Sequence, residues 1–110
     1  MMKPRLSVAA SGLLRAILAR TGVERDRILI CDWKSVDWQS LTFFGERHEA
    51  AFRVTGPGAD HVVAMIADGL EDAEFTIPGQ IVADIALAEA PVSQSDGSVL
   101  VAIEALTVGE

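Results

Sequence analysis

The chain has 110 residues, half of them apolar and 23% charged, with a net charge of −7. A single domain of this length buries roughly two-thirds of the surface its unfolded chain exposes, so it needs no disulfide or metal staple, and the composition excludes intrinsic disorder. The acidic balance opposes non-specific binding to nucleic acid or anionic lipid, and the longest charge-free runs, nine residues at 6–14 and at 75–83, are far too short to span a membrane.

Residues 5–21 are predicted to form the first helix. Leu6, Ala10, Leu13, Leu14 and Ile17 recur at three- and four-residue spacing, Ser7 suits the N-cap, and Gly22 stands where a left-handed residue ends a helix. Lys3 and Arg5 ahead of an apolar run resemble the start of a signal peptide. Arg15 and Arg20 interrupt the stretch that would have to stay apolar, which favours an ordinary helix. Residues 27–33, with Ile28-Leu29-Ile30-Cys31, read as a short strand. Runs at 38–45 and 48–55 then flank Gly45-Glu46-Arg47-His48, a loop of hairpin length. With Glu46 and Arg47 at the tip, Phe43 faces Ala50 and Leu41 faces Phe52, and the apolar residues share one side.

A second helix is predicted at 58–71, opened by Pro57 and striped by Val63, Ile66, Ala67 and Leu70. Phe75-Thr76-Ile77 reads as a short strand ended by Pro78-Gly79. The last third is predicted to be a hairpin of 80–89 with 98–108. Both halves thus run helix, short strand, hairpin. The expected fold is a single α+β domain over 1–110: a two-layer sandwich with a mainly antiparallel sheet, two helices on one face, and αβββαβββ order, a ferredoxin-like variant.

Two helices cover only one side of such a sheet. On the final hairpin the uncovered side is predicted to carry Val82, Asp84, Ala86, Ala88 and Ala90 on one strand and Leu100, Ala102, Glu104, Leu106 and Val108 on the other. Eight of these ten are apolar, where a water-facing sheet normally shows polar residues. An interface is therefore expected through Val82, Ala86, Ala88, Leu100, Ala102 and Leu106, with a second copy as a homodimer or with another protein. Charge is also divided: residues 1–53 hold all nine Lys and Arg, and 54–110 hold ten acids and no Lys or Arg.

Signals for chemistry are weak by comparison. Cys31 is the sole cysteine, so there is no intrachain disulfide and no CxxC pattern, and a cytoplasmic setting is expected. Cys31 in an apolar strand reads as a small hydrophobe. His48 and His61 lie at no diagnostic metal spacing, and no cofactor is expected. The 55–60 segment, Thr-Gly-Pro-Gly-Ala-Asp, enters a helix but lacks the phosphate-loop pattern. Asp68, Glu71, Asp72 and Glu74 cluster where a helix dipole is negative, which hints at a cation nearby, such as the basic first helix. Trp33 and Trp38, five apart, belong on opposite faces if one strand carries both.

The sequence thus favours a non-catalytic assembly module. The alternative is a small enzyme or ligand-binding protein with a pocket between helices and sheet, using His48 with Asp37 and Glu46 as the proton-transfer group and its carboxylates. Under the first reading His48 is a solvated turn residue whose replacement by Ala leaves stability unchanged.

Overall fold

In the computed structural model, which describes residues 6–109, helix α1 (Val8–Thr21) begins and ends as its sequence dictates. The Ser7 hydroxyl accepts from the Ala10 amide at 3.1 Å, and Gly22 closes the helix at φ 64°. The chain then returns as β1 (Ile28–Gln39), turns, and runs back as β2 (Phe44–Val54). Helix α2 (Ala59–Ala67) follows, then β3 (Gln80–Leu87), a two-residue β4 (Val92–Ser93) and β5 (Val99–Gly109). All pairings are antiparallel, in the order β1-β2-β5-β3, with β4 also paired to β5. The result is a two-layer α+β sandwich, and each half contributes one helix and one hairpin.

The core lies between the helices and one sheet face. Ala10, Leu13, Leu14 and Ile17 of α1 and Val62, Val63 and Ile66 of α2 pack on Trp33, Phe52, Val54, Val101 and Ile103. Every second residue of β5 from Val99 to Thr107 points into this layer, as period-2 alternation requires. Two arginines then tie neighbouring segments together at their ends. Arg20 of α1 donates to the carbonyl oxygens of Asp68 and Met65 at 2.5 and 3.4 Å, placing a cation at the negative end of α2. Arg27 donates to the Thr55 and Pro57 carbonyls, pinning the loop that leads into α2.

The element order is αββαβββ, and three local differences from the expected order have physical causes. First, the runs at 27–33 and 38–45 are parts of one strand, β1, and the turn lies at Ser40–Phe43 rather than at Glu46-Arg47. Ser40 closes it from both sides, its amide donating to the Phe43 carbonyl and its hydroxyl accepting from the Phe43 amide. Gly45 is no turn glycine: a Cβ there would run into the Thr107 carbonyl, so glycine is what lets β2 approach β5. Ile30, not Leu41, therefore pairs with Phe52, and Leu41 and Phe43 are exposed. Second, 75–77 forms only an isolated bridge, Ile77 to Gln80, and Ile77 instead lies against Gly12 of α1.

Third, both edge strands carry an irregularity, at Cys31 in β1 and at Ala83 in β3. The extra residue reverses which side the flanking residues face. Val82 pairs with Thr107 and packs on the core, so it leaves the interface set predicted from strict alternation, and Ile81, 51% exposed, takes its place on the outer side. The residue at the β1 irregularity, Cys31, is exposed rather than a core hydrophobe.

Candidate functional site

His48 is the most enclosed titratable group among the described residues, at 1% exposure. It sits mid-strand in β2, pointing into the core layer beneath the start of α1. Its Nδ1 lies 3.3 Å from the Trp33 indole nitrogen and 2.8 Å from the Ser35 hydroxyl, while Nε2 lies 2.9 Å from the Thr107 hydroxyl. An indole N–H can only donate, so Nδ1 is the acceptor and Nε2 carries the proton toward Thr107. The imidazole is neutral, and burial pushes its pKa below the ordinary 6.5, with the Glu46 carboxylate pulling weakly the other way.

Glu46 and Asp37, the carboxylates expected beside His48, do not complete an acid–base site. Glu46 Oε1 is 3.9 Å from Nε2, too long for a hydrogen bond, and accepts from the Ser7 hydroxyl at 2.5 Å instead. Asp37 pairs with Glu46 across the strands and is exposed. The cleft near it, about 510 Å³, is lined by Asp37, Trp38, Gln39, Phe44 and Gly45, and His48 is not part of that lining. A serine nucleophile requires a base whose free lone pair faces the hydroxyl and whose other nitrogen is held by an orienting group. Here the Nδ1 lone pair is shared with Trp33, and the orienting partner is a hydroxyl rather than a carboxylate. The arrangement joins β1, β2, β5 and the cap of α1 through one saturated polar cluster.

Nothing local in the sequence marks Trp33, Ser35 and Thr107 as partners of His48, or Ser7 as the partner of Glu46. One signal was available: Thr107 is the lone polar residue on the row Val99, Val101, Ile103, Ala105, Thr107, and a buried polar group needs a partner. The remaining candidates lie apart. His61 is exposed in the first turn of α2, and the 55–60 loop spends its one neighbouring cation, Arg27, on its own carbonyls. Among the described residues, no cluster of three or more His, Cys, Asp or Glu side chains is placed to hold a metal ion. The two tryptophans do occupy opposite faces, Trp33 in the core and Trp38 on the outer side opposite Gly45.

The outer face of the sheet is the larger feature. Reading across β1, β2, β5 and β3, the registers give one row Lys34, Glu49, Glu104, Ala86 and the next Val36, Arg47, Leu106, Asp84. The hairpin-turn end closes on Trp38, Gly45, Val108 and Ile81, and Ala88 faces Ala102 toward the other end. The β3–β5 half is thus mostly apolar, and the β1–β2 half alternates in charge. Glu49 and Glu104 are directly opposed and both exposed, an unfavourable pairing in an isolated sheet. Arg47 neighbours the pair along β2 and Lys34 across β1. No helix covers this side.

Two αββ halves sharing one antiparallel sheet, with both helices on the same side, define the class: a two-layer α+β sandwich. No family model matches the chain, and no curated protein matches its sequence. Among solved structures, a chain from the virion of a native gene transfer agent particle has this fold, with a TM-score of 0.60 over 96% of this chain and 100% of that chain, at 11% sequence identity. At that identity the likeness is one of fold. Among the described residues, no helix is long and apolar enough to cross a membrane.

Proposed function

We propose that this chain is a structural assembly module without catalytic function, which buries the outer face of its sheet against a second copy of itself. The observation that carries the proposal is the uncovered half-face of Leu100, Ala102, Leu106, Ala86, Ala88 and Ile81 beside a charged half-face. A largely apolar half-face, interrupted by Glu104 and Asp84 and bordered by the charged β1–β2 half, is the kind of surface that proteins use for interaction. The charge pattern favours a copy over an unrelated partner. The opposed Glu49 and Glu104 gain from cations placed above them, and Arg47 and Lys34 of a two-fold mate supply those while presenting the same acids in return. The saturated surroundings of His48 support the non-catalytic part. The fold's occurrence in a virion particle is in keeping with a role in building something from many chains.

The test is a mass measurement with one side chain changed. The unmodified chain is expected at twice its own mass or more at micromolar concentration, and Leu106→Arg, which places a further cation beside Arg47, is expected to lower that mass by breaking the sheet-face contact, with an unchanged circular dichroism spectrum. A Leu106→Arg protein that keeps the native assembly mass contradicts the proposal. An unmodified chain that stays monomeric at these concentrations contradicts it as well.

A further inference from the structure

The ends of the first hairpin differ in a way that the sheet face does not explain. The turn after β1 presents Leu41, Phe43 and Phe44 outward: Leu41 is fully exposed and Phe44 is 69% exposed. Turns are ordinarily polar, and exposed aromatic residues in series have a cost unless something covers them. The turn is also held in one shape by the two Ser40–Phe43 hydrogen bonds, so its apolar side chains are offered on a firm support. At the other end of β1 lies a groove of about 520 Å³ between α1 and the edge strand, lined by Leu6, Leu14, Leu18, Ile28 and Ile30, with Arg25 and Asp26 on its rim. Its size is that of a pocket that encloses a few large side chains.

We infer that the hairpin turn of one copy docks in the α1–β1 groove of the next, an inference that rests on the assembly reading above but uses a separate surface. The occupant cannot be the turn of the same chain. β1 has 12 residues, and at about 3.3 Å per residue the groove and the turn lie roughly 36 Å apart along one strand. The match is one of chemistry: two phenylalanines and a leucine are the apolar anchors that fill pockets at interface centres, and Asp37 at the root of the turn brings an acid to the Arg25 rim. Projection and groove belong to opposite ends of the same molecule, so the contact is head-to-tail. Each copy joined leaves one free projection and one free groove, and growth continues until the rotation between neighbours closes a ring or the chain of copies extends.

The test uses the full chain with Cys31→Ser, which removes the only native thiol, and with Leu18→Cys and Leu41→Cys introduced at the groove and the turn. A short bis-maleimide reagent is expected to give a ladder at two, three and more chain masses, while each single-cysteine protein gives no ladder. The ladder is expected to persist when Leu106→Arg is added, because that change touches only the sheet face. A double-cysteine protein with native circular dichroism that yields no ladder overturns the inference and leaves the sheet-face proposal standing. A second variant keeps the test independent of cross-linking: Leu41→Asp, at a fully exposed position, is expected to reduce any larger species to the unit that the sheet face alone maintains, and an unchanged size distribution overturns the inference.

Discussion

The two hairpins of this protein are built on the same plan and solve it differently. The β3–β5 hairpin lines its inner side with apolar residues apart from Thr107, its alternation broken once at Ala83, carries no Lys or Arg, and is apolar on much of its outer side as well. The β1–β2 hairpin places a histidine, a serine and a tryptophan indole in its inner layer, alternates charge on its outer side, and ends in an exposed aromatic turn. The two meet at the β2–β5 pair, where Thr107 of one reaches His48 of the other and Gly45 lets the backbones close. The contrast separates two kinds of cohesion. The second hairpin is held by burial alone, whereas the first depends on a polar cluster that must stay saturated.

The largest change that breaks this contrast is His48→Ala. It removes a buried ring, strands the Trp33 N–H, leaves the Thr107 hydroxyl with only its 3.5 Å bond to the Glu46 carbonyl, and opens a cavity. The expected loss is about 3–4 kcal/mol in urea denaturation at fixed protein concentration. A loss below about 1 kcal/mol would put His48 in a solvated turn after all, since surface substitutions stay near ±0.5 kcal/mol. Next comes Gly45→Ala. The added methyl meets a backbone carbonyl that cannot rotate away, so a loss of about 2–3 kcal/mol is expected, with increased amide exchange along β2 and β5. Unaltered exchange there contradicts the role given to the glycine.

A smaller effect comes from pH. The folded-state pKa of His48 lies below its unfolded value of 6.5 because burial disfavours the charged ring. The unfolded chain therefore binds more protons through this window, and stability rises with pH. The contribution is fully present above 6.5 and is lost as pH falls from there toward the folded pKa. Subtracting the profile of His48→Gln, whose amide keeps one donor and one acceptor, is expected to leave a difference that declines between pH 7.5 and 5. A flat difference contradicts a buried neutral imidazole. Smaller still is Ser7→Ala, expected to cost about 1 kcal/mol as an N-cap loss.

The same comparison explains what could be read from the sequence. Where burial alone decides, the strand pattern gave the strands directly: Ile85 and Leu87 face inward with Val101, Ile103 and Ala105, as their alternation requires. It failed there only at Ala83, because one extra residue in a strand leaves no mark on composition yet moves Val82 and Ile81 to opposite sides. In the first hairpin, Gly45-Glu46-Arg47-His48 has turn composition, and nothing local separates a glycine needed for a turn from one needed for a close backbone approach. The apolar Leu41 and Phe43 reinforced the error by completing an apparent inward row. The ends of α1 were legible because their signals, Ser7 and Gly22, act within one turn of the helix, whereas α2 stops at Ala67, short of the expected 71, before Gly69 turns the chain at φ 62°.

The central claim is that the outer sheet face is incomplete in a single chain. Light scattering on the unmodified protein across a micromolar dilution series tests it most directly. At least two chains per particle are expected, falling toward one on dilution. A single-chain mass throughout the series, with the amides of β5 as protected as in the core, would contradict it.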